Sequence, residues 1–181
     1  MAETKTWKRS AWTDAGQLVE LIDPDSPTRE AVGKTLPAWY SGLVDSGDLT
    51  GACNFLAHAL PRYECIAWAA QALLEIGAVD RKDPLMVASL RWLDDPDDAR
   101  RRAANDAAQQ VRPDTPAKLL AMAIFFSGGS IAPADLAPVQ PAPDVCAKLA
   151  GAAVLVGGYA QPDPDTALRK VLALGEMMAK E

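Results

Sequence analysis

Apolar residues recur at a helical period along most of this chain. After Asp14, Leu18, Leu21 and Ile22 share one face. After Asp48, the set Leu49, Cys53, Leu56, Ala57 and Leu60 forms a single stripe, and Pro61 ends it. Cys65, Trp68, Ala69, Ala72, Leu73 and Ile76 repeat the pattern up to Gly77. Leu85, Ala88, Trp92 and Leu93 follow Pro84, and Leu168, Val171, Leu172, Gly175 and Met178 follow Asp163-Pro164-Asp165. The stretch 119–126 is apolar throughout, and 147–156 is apolar and rich in small residues apart from Lys148.

The punctuation agrees with the stripes. Asp14, Asp48 and Thr115 are N-cap types, and Pro37, Pro84 and Pro116 suit a first helical position. Gly47, Gly77 and the pair Gly157-Gly158 read as helix stops. Residues 27–35 give only a weaker helical turn. The pattern fails over 127–143, which holds Gly128, Gly129, Pro133, Pro138, Pro141 and Pro143. That loop is longer than the about 12–15 residues compact domains usually tolerate without a purpose. No sequence repeats at a fixed period. The expected architecture is all-α, a single irregular bundle of about seven to nine helices without significant sheet. The expected organisation is an N-terminal arm, 1–13, and one helical domain, 14–181, carrying the loop. Trp7 and Trp12 are expected to pin the arm.

Composition sharpens this picture. The 181 residues include 34 Ala, while aromatics are only 6%. Alanine favours helix and lets helices approach closely. A net charge of −6 argues against general affinity for nucleic acid, which needs Lys and Arg on phosphates. It also disfavours attachment to anionic lipid. The three Cys imply no disulfide framework. The first twelve residues are charged, without the apolar core of a secretory signal. The apolar stretches are shorter than the about 20 residues of a membrane span. The expected location is the cytoplasm, with no membrane partner. Charge is unevenly spread: between Leu119 and Ala160 only Asp135, Asp144 and Lys148 are charged. That third is either the inside of the bundle or a contact surface.

Candidate chemistry is sparse. His58 is the single histidine, and Cys53, five residues earlier, falls on another face of the same helix. Neither a metal site nor a Cys–His pair follows from that spacing, so His58 reads as structural or capping; no metal or cofactor is expected. Ser127-Gly128-Gly129-Ser130 is the one glycine cluster, but it lacks the preceding strand, following helix and Lys of a phosphate loop. It reads as a helix end and turn, with a partner-binding backbone as the functional alternative. Arg62 and Glu64 flank Tyr63; Glu64 is placed to satisfy the first N–H groups of its helix. Asp97 and Asp98 precede Arg101 and Arg102 by four residues, so ion pairs on adjacent turns are expected. Asp-Pro-Asp at 23–25, 95–97 and 163–165 reads as helix punctuation, since the Gly and terminal Glu of a calcium loop are missing. P-x-x-P matches at 24–27, 113–116 and 138–141 are weak in so proline-rich a chain.

Three blocks together carry a family resemblance. They are Ala59-Leu60-Pro61 with Glu64 and Trp68-Ala69; Trp92-Leu93 with Pro96 and Arg101-Arg102-Ala103-Ala104; and Phe126-Ser127-Gly128-Gly129-Ser130-Ile131-Ala132-Pro133. Over residues 48–158 the chain resembles small bacterial α-helical proteins of unknown function, often labelled twin-arginine translocation pathway signal proteins, some encoded near type VI secretion clusters. Tyr63 and Ala67 depart from the Arg and Trp expected there, and the N-terminus carries no twin-arginine signal. The resemblance supplies no catalytic residues. It implies a cytoplasmic accessory of a secretion apparatus.

The expected function is therefore a non-enzymatic protein–protein interaction module. Its partner is another protein, a homo-oligomer being possible. Its contact surface is expected at Ser127, Gly128, Gly129, Ser130, Ile131 and Pro133. One alternative is an acidic immunity protein that meets a toxin with Asp94, Asp95, Asp97 and Asp98. The other is a hydrolase using Ser127 or Ser130 with His58 as base.

Overall fold

A computed structural model describes residues 6–25, 29–133 and 135–181. The described residues form nine α-helices and one 3-10 turn, with no strand. In chain order these are α1 (Ala15–Ile22), the 3-10 turn (Arg29–Ala31), α2 (Leu36–Ser46), α3 (Leu49–Ala59), α4 (Arg62–Glu75), α5 (Pro84–Asp94), α6 (Asp98–Gln109), α7 (Pro116–Phe125), α8 (Val145–Tyr159) and α9 (Pro164–Lys180). Within the weak turn at 27–35, Arg29–Ala31 form the 3-10 turn and Thr35 caps α2. Residues 27 and 28 of it, and part of the P-x-x-P match at 24–27, fall in 26–28, outside the described residues.

The boundaries follow the local chemistry. Asp14, Thr35, Asp48, Asp83, Asp97, Thr115 and Asp163 each accept a backbone N–H of the helix they precede. These side chains satisfy donors that a helix start leaves unpaired. The second and third Asp-Pro-Asp sequences thus supply the caps of α6 and α9.

Helix α8 lies at the centre, packed on α3, α4, α7 and α9. It is made of small and branched apolar residues nearly all round, as a buried helix must be. On one side α5, α6 and α7 pack on one another; on the other α1 and α2 cover α3. Gly157-Gly158 does not stop α8, which runs on to Tyr159. Their reason is proximity. A Cβ at Gly157 would stand 2.6 Å from Leu73 Cδ2 and 3.0 Å from Ala78 Cβ; at Gly158 it would stand 2.5 Å from Leu168 Cδ2.

The same device seats the largest buried side chain. Trp68 is fully buried, and its Nε1 donates to Val171 O of α9 at 2.8 Å. One turn on, a Cβ at Gly175 would lie 2.6 Å from that Nε1. Tyr40 donates its hydroxyl to the next carbonyl, Leu172 O, at 2.9 Å, and burial raises its pKa further above the tyrosine range. The described arm residues pack in cis. Trp7 is buried, edge-on to Tyr40 with ring centroids 5.2 Å apart, and Arg9 N donates to Ala179 O at 3.3 Å. Trp12 packs partly buried on the same core. Residues 1–5 of the arm lie outside the described residues.

Candidate functional site

The Ser127–Pro143 segment is irregular in sequence but firmly tied. Three arginines from two helices hold its backbone carbonyls. From α6, Arg101 is buried; its Nη1 donates to Phe125 O at 2.5 Å and its Nη2 to Ser130 O at 2.8 Å. Arg102 donates to Ser130 O at 3.0 Å and to Ala132 O at 3.2 Å. From α4, Arg62 donates to Ser127 O at 3.0 Å. The Arg101 guanidinium also lies over the Phe125 ring, 4.8 Å from its centroid. Such charged donors give stronger hydrogen bonds than neutral pairs.

Asp98 orients both α6 arginines. It accepts from Arg101 Nε at 2.9 Å and from Arg102 Nε at 2.8 Å. Hydrogen bonds from Arg102 and Arg101 hold its carboxyl below the usual carboxylate range. Asp97 departs from the expected pairing with Arg101. It caps α6 instead and pairs with Arg100, which also reaches Asp95 at 2.7 Å. Glu64 departs too: it meets Arg9 at 3.3 Å, and α4 starts without a side-chain cap.

The glycines fit this clamp. Gly129 adopts a φ of 67°, in the left-handed region, and a Cβ there would stand 3.2 Å from Arg101 Nη2. Ser127 donates its hydroxyl back to Ile124 O at 2.7 Å. Ser130 Oγ accepts Ala132 N and Val139 N, both at 3.1 Å, and Ile131 N donates to Val139 O at 2.8 Å. The segment is thus pinched shut between 130 and 139.

The six residues singled out from sequence divide accordingly. Ser127, Gly128, Ser130 and Ile131 are half-buried, with both serine hydroxyls engaged with local backbone. Gly129 and Pro133 are exposed. The apolar residues facing solvent are Leu136, 60% exposed, and Val139, 50% exposed, which sequence reading did not select. Their exposure depends on the pinch at 130–139, a non-local contact without a helical period. The clamp itself was half visible: the Arg101-Arg102 pair and the Ser-Gly-Gly-Ser block stood out separately, and the structure joins them.

A second polar locus surrounds His58. Its Nδ1 lies 2.8 Å from Asn54 O, so Nδ1 carries the proton and Nε2 is left as an acceptor. Nε2 is buried and has no hydrogen-bond partner among the described residues, although His58 as a whole is only 7% exposed. Burial lowers its pKa, which keeps the ring neutral. His58 lines a cleft of about 230 Å³ with Arg62 and Cys65 of α4 and with Pro143, Asp144 and Ala147 at the start of α8. Trp12, Leu21 and Leu60 add apolar wall. Asp144 is paired with Lys148 at 2.6 Å, chiefly by a hydrogen bond that lowers its carboxyl pKa. The thiols are inert at neutral pH: burial pushes Cys53 and Cys146 up to about 12, and Cys65 well above its ordinary value. No group of three or more His, Cys, Asp or Glu among the described residues is placed to hold a metal ion. No described helix is long and apolar enough to cross a membrane.

No curated protein and no solved structure matches this chain. Residues 39–179, more than three quarters of the chain, match the model of a family of unknown function, DUF6931. That span takes in the tryptophan-bearing α4, the arginine clamp and the glycine block together, and the chain belongs to this family of unknown function.

Proposed function

We propose that this protein is a non-enzymatic interaction module whose partner-contact surface is the clamped segment 127–143. One observation carries the reading: Arg62, Arg101 and Arg102 fix the segment's backbone while Leu136 and Val139 face solvent. Ordering a loop before binding removes the entropy cost that a flexible loop meets on association. The partner is another protein, which covers Leu136 and Val139 together with Pro133 and Gly129. The setting implied by the family resemblance belongs to this reading: a cytoplasmic accessory of a type VI-like secretion apparatus.

A photo-crosslinking residue at Leu136 or Val139, introduced in the native host, tests it. The expected result is one discrete adduct from each position, the Val139 adduct being lost in Leu136→Asp, and none from Val32, which is 70% exposed elsewhere on the chain. A secretion component in the adduct supports the accessory role, and a second copy of this chain supports a homo-oligomer. Adducts no different from those at Val32 overturn the surface. The immunity reading lacks comparable support, because Asp95, Asp97 and Asp98 are paired with the chain's own arginines. The hydrolase reading lacks it as well. Ser127 is engaged with Ile124 O, and His58 Nε2 accepts from neither serine.

A further inference from the structure

The three P-x-x-P matches, alike in sequence, part company in the structure. The match at 24–27 falls partly outside the described residues. The match at 113–116 is taken up by a helix start, where Thr115 caps α7 and Pro116 is its first residue. The match at 138–141 lies within 137–142, which is neither helix, turn nor strand and leads from the pinch at Val139 to the start of α8.

Stereochemistry leaves this stretch little choice of shape. Pro138, Pro141 and Pro143 each fix their own φ at about −65°. Ala137, Gln140 and Ala142 each precede a proline, which keeps them extended. Val139 remains, and it is tied at both ends: its N–H donates to Ser130 Oγ and its carbonyl accepts Ile131 N. No described residue other than glycine takes a positive φ. The conformation these restraints share is the left-handed polyproline II helix, with three residues per turn. Exposure fits that period. Pro141 is buried and seats the strap on the protein, while Val139 and Ala142 on one ridge, and Ala137, Gln140 and Pro143 on another, are exposed. Leu136, three residues before Val139, extends the first of these ridges and is 60% exposed.

Such a strap selects its partner by chemistry. Pro138, Pro141 and Pro143 lack the N–H that adding a strand to a sheet edge requires. From Leu136 to Pro143 the chain carries no charge, so ion pairs do not choose the partner. A preformed prolyl helix is instead received by grooves lined with aromatic rings, at a small cost in chain entropy. We propose that residues 136–143 are a polyproline II ligand that docks, by its two exposed ridges, in an aromatic-lined groove of a partner protein. This rests on the reading of 127–143 as the contact surface and names the kind of partner that surface fits.

The test uses the full-length chain with a photo-crosslinking residue at Val139, in extract of the native host. Excess oligo-L-proline is expected to lower the adduct at least fivefold. Oligo-D-proline, of the same composition and opposite hand, should leave it unchanged. Pro138→Gly frees the strap while Leu136 stays in place, and should lower the adduct at least fivefold. Gln140→Pro adds a restraint and removes an N–H, and should keep the adduct in full, as should Gln140→Ala. Urea melts of the variants show that they fold. The crosslinked partner peptide is expected to carry Tyr or Trp beside the point of attachment. An adduct indifferent to oligo-L-proline, one kept by Gln140→Ala but lost in Gln140→Pro, or one formed with a second copy of this chain overturns the strap and leaves the contact surface standing. No adduct from Val139 in the parent protein overturns the contact surface and the strap with it.

Discussion

Gly175 lets α9 close onto the Trp68 ring, whereas the 127–143 segment is held out at the end of three long arginine side chains. The first contact works by subtraction. Removing side chains brings helix backbones together until a tryptophan N–H reaches a carbonyl of the neighbouring helix. The second works by addition, since charged donors fill in for a ladder of backbone hydrogen bonds that an irregular segment cannot make. Added volume should therefore damage the first and truncation the second, with neither sharing the other's weakness.

The largest effect is expected from Gly175→Val. Its Cβ would fall 2.6 Å from Trp68 Nε1 and 2.5 Å from Leu56 Cδ2, and the indole cannot retreat without losing Val171 O. Overpacking of this kind costs about 3 kcal/mol, read as a lower urea midpoint. Arg101→Ala comes next. It strips donors from Phe125 O and Ser130 O, a loss of about 2 kcal/mol. Its distinctive sign is faster proteolytic cutting within 127–143 while the helical circular dichroism signal persists. Equal protease resistance in the variant would break the contrast.

Gly42→Ala is the control of opposite sign. Gly42 is exposed within α2, and a Cβ there would meet nothing within 4 Å. Helix propensity alone should raise stability by about 1 kcal/mol in the same urea assay. If Gly42→Ala and Gly175→Ala behaved alike, close packing would not be the reason for the core glycine.

The smallest effect is a pH dependence. Burial places the folded pKa of His58 below its ordinary value. Below about pH 6.5 the unfolded chain takes up a proton that the folded one does not. The contribution is whole above that pH and is lost as pH falls toward the folded pKa. The urea midpoint should decline between pH 7.5 and 5.5, no more steeply than one proton requires. His58→Gln should flatten the decline.

Much of the fold was legible because it is local. Asp14, Asp48, Thr115 and Asp163 announce helix starts through hydrogen bonds that span only two or three residues. Gly157-Gly158 misled for a physical reason: glycine signals both a left-handed turn and a close neighbour, and only the fold tells which. The arginine clamp joins residues 24 to 65 positions apart, and such pairings leave no periodicity to read. His58 was legible as a structural residue tied to its own helix. The cleft beside it was not, because its walls come from the arm, α1, α4, Pro143 and α8.

The bonds from Trp68 and Tyr40 to α9 carry a kinetic consequence. They span 103 and 132 residues, and both end on consecutive carbonyls near the C-terminus. Loop closures of this length slow folding, because chain entropy is lost before the contact returns anything. As the chain emerges from the ribosome, α3 and α4 can coil early, yet the Trp68 N–H waits for its acceptor until α9 has been made. The core around Trp68 is finished only by α9, and a nascent chain stalled short of Val171 leaves the indole N–H to water, without the acceptor it has when buried.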